Sequence, residues 1–306
     1  MSPWTRVLIP LDGSEISSWV LKRARLLLER PGITVTLLRV VETDEDRASE
    51  LGFRVDSRHL DVQAALSAVR EELLQRSIAA HAELRFGDPA REILREIASG
   101  GYDVVAMSTH GRTGLRRVMF GSVAFKVLQA SPVPLLLFRP LQAPDGSLST
   151  VETSDPARFR NILVPLDGSP AAEEILAAAR GLARAYGSKL HLFRAIPGGS
   201  DEAEYRRQAV EYLVHWERLL GQWGIVAFGA VRTGPAAEQA LEVIRERGLD
   251  AVAMTTHGHT SLARVVYGSV AEKVLVGAEV PMLVLRNSRL RSRLPEPAPP
   301  HRHVEV

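Results

Sequence analysis

The chain has 306 residues, 45% of them hydrophobic and 24% charged, which is typical of a globular protein with substantial cores. Its length leaves room for two domains of roughly 150 residues each. The net charge of +2 gives no reason to expect nucleic acid or an anionic membrane as partner, and the absence of cysteine excludes disulfides, thiolate metal sites and a cysteine nucleophile.

The first predicted element is a strand that starts at Arg6 and ends at the turn Asp12-Gly-Ser14. Its continuous apolar run, Val7-Leu-Ile9, is typical of a strand buried on both faces of a parallel sheet. The strand begins too early to leave room for a signal peptide. No apolar run reaches the roughly 20 residues that span a bilayer. We therefore expect a cytoplasmic protein with no membrane partner.

The rest of the first half alternates helices with strands. Apolar residues at helical spacing from Ile16 to Leu28 predict a helix, and Thr34–Val41 predicts the second strand. After an acidic loop we expect a helix over about 60–80, a short strand over 82–86 and a helix that follows Pro89. This alternation indicates a parallel sheet with helices on both faces.

The segment 107–123 follows a short apolar strand, contains Gly111 and Gly121, and leads into a helix. Gly121 lacks a side chain, so a phosphate could approach the backbone N–H groups there. We expect Ser122 to be the N-cap of the helix, whose free N–H groups and dipole attract anions. The segment therefore predicts a phosphate-binding loop. A glycine before a helix also occurs as turn geometry alone, so a purely structural role stays open.

The same pattern occurs a second time, from Asn161 onwards. The loop segment returns 147 residues later as 254–270, with Gly268 and Ser269 at the positions of Gly121 and Ser122. We accordingly predict the following division of the chain: a first domain at 1–140, a linker at 141–158, a second domain at 159–287, and a disordered Pro/Arg-rich tail at 288–306.

The strands Pro134–Arg139 and Pro281–Arg286 close the two halves. Both are short and strongly apolar, and they would otherwise be bare sheet edges that seek partners. We predict that they pair with each other about a pseudo-twofold axis, so that the two halves form a dimer-like unit within one chain. Further assembly into homo-oligomers stays open.

Asp12 and Asp167 end the first strand of each half. Ligands of such sheets bind at the carboxyl ends of the strands, where the strand order reverses, and the element order puts both carboxylates beside the loop segments. They could accept hydrogen bonds from a ribose or base, or could form Asx turns before glycine. His110 and His257 are either donors to a phosphate or ribose, or loop residues bonded to backbone.

These motifs resemble the universal stress protein family in its tandem two-domain form. In each half, a glycine (Gly111; Gly258) is followed after nine residues by Gly-Ser. Pro-Leu-Asp-Gly-Ser also follows the first strand of each half. The resemblance covers about residues 5–139 and 160–286. It implies two doubly wound α/β domains with five-stranded parallel sheets, like those of adenine nucleotide hydrolases, that act in stress responses with slow or no ATP turnover.

The resemblance also implies one ATP site per half, with magnesium or manganese as the accompanying ion where one is bound. In the first half the implied ATP-binding residues are Pro10, Asp12, Val40, Met107, Ser108, His110, Gly111, Arg112, Gly121, Ser122 and Val123. In the second half they are Pro165, Asp167, Ala195, Met254, Thr255, His257, Gly258, Gly268, Ser269 and Val270. The first loop carries more arginine, which favours tighter binding by the first half.

Ser108 and Thr255 stand where the family has its first glycine. Their side chains could narrow the space beside the ribose, or their hydroxyls could hydrogen-bond it. The sequence has no Walker loop, no Gly-x-Gly-x-x-Gly after its first strand and no carboxylate cluster for two metals, so we assign no catalytic residue and no metal ligand. We expect a nucleotide-dependent stress regulator or sensor. The alternatives are a slow ATP hydrolase and a protein-interaction module that binds no nucleotide.

Overall fold

The first half of the chain alternates strands and helices in the predicted order. The computed structural model describes residues 4–42, 57–109, 121–142, 148–149, 157–256 and 268–286. The elements of the first half are β1 (Arg6–Leu11), α1 (Glu15–Leu28), β2 (Thr34–Val41), α2 (Ser57–Gln75), β3 (Ala79–Phe86), α3 (Pro89–Gly100), β4 (Val104–Ser108), α4 (Ser122–Ala130) and β5 (Leu135–Phe138).

The second half repeats this order. Its elements are β8 (Asn161–Pro165), α5 (Pro170–Glu173), α6 (Ile175–Tyr186), β9 (Lys189–Ile196), α7 (Glu202–Gln222), β10 (Ala227–Thr233), α8 (Ala236–Glu246), β11 (Ala251–Thr255), α9 (Ser269–Gly277) and β12 (Met282–Leu285). Between the halves, β6 (Leu141–Gln142) pairs antiparallel with β7 (Leu148–Ser149) inside the predicted linker. Most of that linker and the predicted tail lie outside the described residues.

The ten long strands form one sheet in the order β10-β9-β8-β11-β12-β5-β4-β1-β2-β3. Within each half all neighbouring strands are parallel, and helices cover both faces. The prediction of two doubly wound five-stranded parallel sheets is therefore confirmed. Where the halves meet, β5 and β12 pair antiparallel, with Leu136 opposite Leu283.

Side chains alternate between two cores because successive residues of a strand point to opposite faces. On one face Val7 and Ile9 of β1 pack in the same cluster as Trp19 of α1. On the other face Leu8 of β1 lies in a cluster with Ile93 of α3 and Val127 of α4. Each cluster includes residues of both halves, so the two halves share their cores.

Helix α2 ends earlier than the predicted boundary near residue 80. Its last helical residue is Gln75, and Ser77 takes a left-handed conformation with φ +61°. This turns the chain into β3, and the N–H of Ile78 returns to the carbonyl of Leu73 at 3.0 Å. In the second half Gly224 (φ +75°) makes the same turn, which glycine adopts without strain. None of the described helices is long and apolar enough to cross a membrane.

Candidate functional site

In each half the first strand is tied to the fourth strand at its amino end. The Asp103 carboxylate, just before β4, accepts hydrogen bonds from the N–H groups of Thr5 (2.6 Å) and Arg6 (2.9 Å). Asp250, before β11, accepts them from Arg160 (2.8 Å) and Asn161 (2.9 Å). These contacts fix where the two strands start relative to each other.

The same two strands are not paired with each other at their carboxyl ends, although each pairs there with its other neighbour. Both β1 and β4 are fully described, and they pair only at Val7↔Val104 and Leu8↔Val105, although each continues for several residues. In the second half β8 and β11 likewise share only two register pairs. The strand order reverses at these points, because β1 and β8 each lie between the strand that follows them and the fourth strand. Each half therefore has an opening at the place where such sheets bind ligands.

We call these openings, together with the start of the following helix, the first site (β1, β4, α4) and the second site (β8, β11, α9). Asp12 and Asp167 lie at their mouths and form Asx turns. Oδ1 of each accepts the N–H (2.9 Å) and the hydroxyl (2.6 Å) of Ser14 or Ser169. The hydrogen bonds to Oδ1 therefore hold each carboxylate in a fixed orientation at the mouth of the site.

The predicted N-caps at Ser122 and Ser269 are wrong. The caps are Gly121 and Gly268, with extended backbones (φ −59°, ψ 143°; φ −64°, ψ 145°) and no side-chain hydrogen bond. The first hydrogen bond of each helix explains this. Phe125 donates its N–H to the Gly121 carbonyl at 2.9 Å, and Glu272 donates to the Gly268 carbonyl at 3.0 Å. The glycine is therefore the cap, and the serine after it is the first helical residue. The serine hydroxyls are exposed. The residue at each N-cap thus supplies no side-chain hydrogen bond to the N–H groups of the first turn.

The N–H groups of the two capping glycines already donate hydrogen bonds within the protein. Gly121 donates to the Thr109 carbonyl at 2.7 Å, and Gly268 donates to the Thr256 carbonyl at 2.9 Å. Each bond joins the two ends of a motif loop. At the described starts of α4 and α9, the backbone donors left for a phosphate are therefore the N–H groups that follow Gly121 and Gly268. Thr109 and Thr256, buried at 1% and 2% exposure, were missed by the sequence analysis, although both copies carry threonine there.

The second site contains a cleft with a volume of about 120 Å³. Seven of the ten residues predicted for this half line it, namely Pro165, Asp167, Ala195, Met254, Thr255, Gly268 and Val270. The sequence analysis missed Leu166, Ala172, Phe193, Ala236, Thr256 and Ala271, which complete the lining. Ser269 is outside the lining, and His257 and Gly258 lie outside the described residues.

The first site is formed by the corresponding elements of the first half. Its predicted residues follow the strand ends, with Pro10 in β1, Val40 in β2, Met107 and Ser108 in β4, and Gly121, Ser122 and Val123 at the start of α4. Met107 is buried, and Val40 and Val123 pack against the same core cluster. His110, Gly111 and Arg112 lie outside the described residues, as do the loop arginines behind the expected difference in affinity.

The positions of the missing family glycine differ in exposure. Thr255 is 6% exposed and lines the cleft of the second site, whereas Ser108 is half-buried. The threonine side chain therefore occupies space inside the cleft. Both residues are the last of their strands, β4 and β11.

An arginine lies behind each Asp-Gly-Ser turn, and the sequence analysis missed both. Arg39 of β2 is 8% exposed and donates from Nη1 to the Leu11 carbonyl at 3.1 Å. Arg194 of β9 contacts the second turn so closely that a Cβ on Gly168 would lie 3.0 Å from its guanidinium nitrogens. The only sequence signal is that arginine recurs at matching places in the second strands.

Lysines on α4 and α9 pair with the preceding helix rather than facing the sites. Nζ of Lys126 lies 3.3 Å from Asp88, and Nζ of Lys273 lies 3.9 Å from Glu238. Burial alone would raise the pKa of Asp88, but the Arg91 N–H and Lys126 outweigh it and hold that pKa below its usual value. Within the part of the chain that the structure describes, no group of three acidic or histidine side chains is placed to hold a metal ion.

Comparison with known proteins gives consistent matches across both halves. The model of the Universal stress protein family matches residues 3–139 and 158–286. A universal stress protein of Methanocaldococcus jannaschii is 29% identical over 140 residues, which are 44% of this chain and 82% of that protein. A Bacillus subtilis relative, universal stress protein YxiE, is 26% identical over 150 residues, or 44% of this chain and 99% of that protein.

Among solved structures, a universal stress protein from Archaeoglobus fulgidus superposes with a TM-score of 0.66 at 25% identity. The match covers 92% of this chain and 96% of that one. The two sequence relatives thus correspond to one half of this chain, while the Archaeoglobus structure corresponds to both halves.

Proposed function

The chain belongs to the universal stress protein family, and from this we propose that it is a stress-response regulator or sensor that binds ATP, one molecule in each half. The binding places are the first and second sites. Residues 1–140 and 159–287 would be the two domains, joined through β5 and β12 into a dimer-like unit, and the protein would act in the cytoplasm.

The observation that carries the proposal is the composition of the second site. Seven residues that the family resemblance assigns to ATP line one cleft, although they come from β8, β9, β11 and α9 and are far apart in sequence. An unrelated set of residues would have no reason to converge at the position where the strand order reverses. The start of α9, where the N-cap glycine supplies no side-chain hydrogen bond, borders the cleft at Gly268.

ATP fits this cleft in chemistry and only partly in size. Met254, Ala195 and Phe193 offer apolar surface to a base, and Asp167 offers a hydrogen-bond acceptor to a ribose. The helix start attracts phosphates through its N–H groups and dipole. The volume of about 120 Å³ is below the roughly 300–1,000 Å³ of pockets that enclose a small ligand. The phosphates would therefore lie outside the cleft, over the start of α9.

One observation favours a second candidate. Thr255 places a branched side chain in the cleft where the family has glycine, which favours a protein-interaction module that has lost its nucleotide. Slow ATP hydrolysis gains no support from the described residues, since they provide no metal-binding cluster, and phosphoryl transfer depends on positioned metal ions.

The test is mass analysis of small molecules released when purified protein is denatured, followed by calorimetric titration with ATP, ADP and AMP. Release of an adenine nucleotide, or saturable ATP binding at one molecule per half, supports the proposal. No released nucleotide together with no heat of binding for ATP would favour the interaction module. Product formation faster than about 1 s⁻¹ would instead favour an enzyme.

A further inference from the structure

The second turn, Asp167-Gly168-Ser169, has contacts within itself and with β9. Asp167 accepts the two hydrogen bonds from Ser169. The Arg194 guanidinium lies against Gly168, whose φ of +85° already favours glycine. A substituted residue 168 would be strained by its backbone and would also displace Arg194.

Arg194 is in turn supported by an aromatic side chain of α7. Its Cζ lies 4.9 Å from the ring centroid of Tyr212, within the range of a cation–π contact. The Tyr212 hydroxyl donates to Glu173 Oε1 at 2.8 Å, and Nε1 of Trp216 donates to the same oxygen at 3.3 Å. Burial and the neighbouring Glu173 carboxylate raise the pKa of Tyr212, so the phenol stays protonated and keeps donating at neutral pH.

These contacts connect back to the cleft. Glu173 follows Ala172, which lines the cleft, and Gly168 follows Asp167, which also lines it. The contacts therefore run from Gly168 through Arg194 and Tyr212 to Glu173, and at each end the neighbouring residue, Asp167 or Ala172, lines the cleft.

The first half has the corresponding arginine but different residues around it. Arg39 lies about 3.4 Å from the position of a Cβ on Gly13. At the places of Glu173, Tyr212 and Trp216, the first half has Ser18, Ala65 and Val69, which supply neither the aromatic rings nor the carboxylate of the second half. Of these three, Ser18 and Ala65 are exposed.

We propose that Arg194, supported by Tyr212 and Glu173, is a positioning residue of the second site, which keeps Asp167 ready for a nucleotide before it arrives. The inference rests on the proposed function, because it names what controls the same ATP site. A site held in its binding geometry loses less conformational freedom on binding, and affinity rises accordingly. Which half binds ATP more tightly depends also on the arginines of the loops. The proposal therefore does not rank the two sites and concerns only how ATP binding by the second site depends on Tyr212.

The first measurement uses the full chain without ligand. Hydrogen exchange of the amides at 167–169 and 171–173 is compared between the unsubstituted protein and the variants Tyr212→Leu, Tyr212→Phe and Arg194→Met. We expect faster exchange in Tyr212→Leu and Arg194→Met, and a smaller change in Tyr212→Phe, which keeps a ring beneath the guanidinium. Tyr205→Leu, an exposed tyrosine of the same helix, is the matched control. Unchanged exchange in folded Tyr212→Leu and Arg194→Met would overturn the inference.

The second measurement is ATP titration in a Gly121→Val background, which leaves the second site alone. We expect Tyr212→Leu to weaken ATP binding by about three- to tenfold, Tyr212→Phe by less, and Tyr205→Leu not at all. Faster exchange with unchanged ATP affinity would also overturn the inference, because the turn would then be positioned for no ligand. If the parent protein binds no ATP, the proposed function fails together with the inference. Altered exchange in the variants would then show only that Tyr212 and Arg194 stabilise the second turn.

Discussion

At the scale of single residues, the two capping glycines are the sharpest test of the sites. Gly121 and Gly268 have negative φ angles that any residue can adopt, so the backbone does not require glycine there. What glycine provides is an open approach to the N–H groups that follow. Under the proposed function, the glycines therefore matter for the ligand rather than for the helix itself.

We predict that Gly268→Val lowers ATP affinity of the second site by tenfold or more, while α9 still forms. The valine side chain would cover the first-turn N–H groups without straining the backbone. Calorimetric titration measures the loss, and circular dichroism checks the fold. Gly221→Ala in α7, where an added Cβ meets nothing within 4 Å, is the control and should bind normally. ATP binding at full stoichiometry in the Gly121→Val, Gly268→Val double variant would contradict the assignment.

Thr255 provides the second residue-scale prediction. Because its side chain lies in the cleft, Thr255→Gly should strengthen ATP binding to the second site by a few-fold, and Thr255→Ser should give a smaller gain. Glycine inside a strand is expected to reduce stability by about 0.5–1 kcal/mol, which thermal unfolding would register. Weaker binding by Thr255→Gly, with affinity kept in Thr255→Ser, would contradict this prediction and mean that the hydroxyl hydrogen-bonds the ligand.

At the scale of elements, the strands and most helices were predictable, whereas the contacts behind the turns were not. Apolar runs such as Val7–Ile9 and helical spacing in α1 are local signals that tertiary structure did not override. The serine caps failed because the helix start is set by where the first hydrogen bond closes, which a Gly-Ser pair alone does not specify. The contact between Arg194 and Tyr212 could not be predicted from the sequence. It joins a strand to a helix, and the sequence does not fix how far along the strand each helical residue lies.

Strand β9 carries a histidine whose environment makes the fold sensitive to acid. Burial lowers the pKa of His191, and the positive charges of Arg247 and Lys189 lower it further, with Asp250 opposing them. The ring lies against Phe228, with Nε2 3.3 Å from the side-chain oxygen of Asn161. The folded protein therefore binds the proton less readily than the unfolded chain does.

We accordingly predict that stability falls as pH drops below about 6.5, the ordinary histidine value, until the lower folded pKa is reached. His191→Gln should reduce the difference in melting temperature between pH 7.5 and pH 5.5 by a few degrees. His215→Gln, on α7, controls for the loss of one histidine. An equal pH dependence in His191→Gln and the parent would exclude this residue as the cause.

At the scale of the whole molecule, the junction between the halves is built as a core rather than as a surface contact. Leu136 and Leu137 of β5 are fully buried, as is Met282 of β12. The chain entering the second half adds to it, because the Ala157 N–H donates to the Arg23 carbonyl of α1 at 2.9 Å and Phe159 is fully buried. Two chains with these surfaces would associate without a covalent connection.

We predict that cutting the chain near Gly146, through an introduced protease site, leaves the halves associated. Removing the connection changes none of the β5–β12 pairs or the buried apolar side chains. Sedimentation or light scattering after cleavage should give the mass of the intact chain. Recovery of separate, monomeric halves would contradict the pairing. The same cut placed within the predicted tail, after residue 290, controls for protease handling.

The antiparallel pairing of β5 with β12 has a consequence for how the protein can signal. Strands β1–β5 and β8–β12 run in opposite directions, so the carboxyl ends that form the two sites lie on opposite rims of one sheet. With strands about 4.8 Å apart, the strands that form the two sites are separated across the sheet by roughly 14–24 Å. Under the proposed function, a partner docked on one rim would contact one site only. Two partners could then bind at the same time on opposite rims, each next to its own nucleotide.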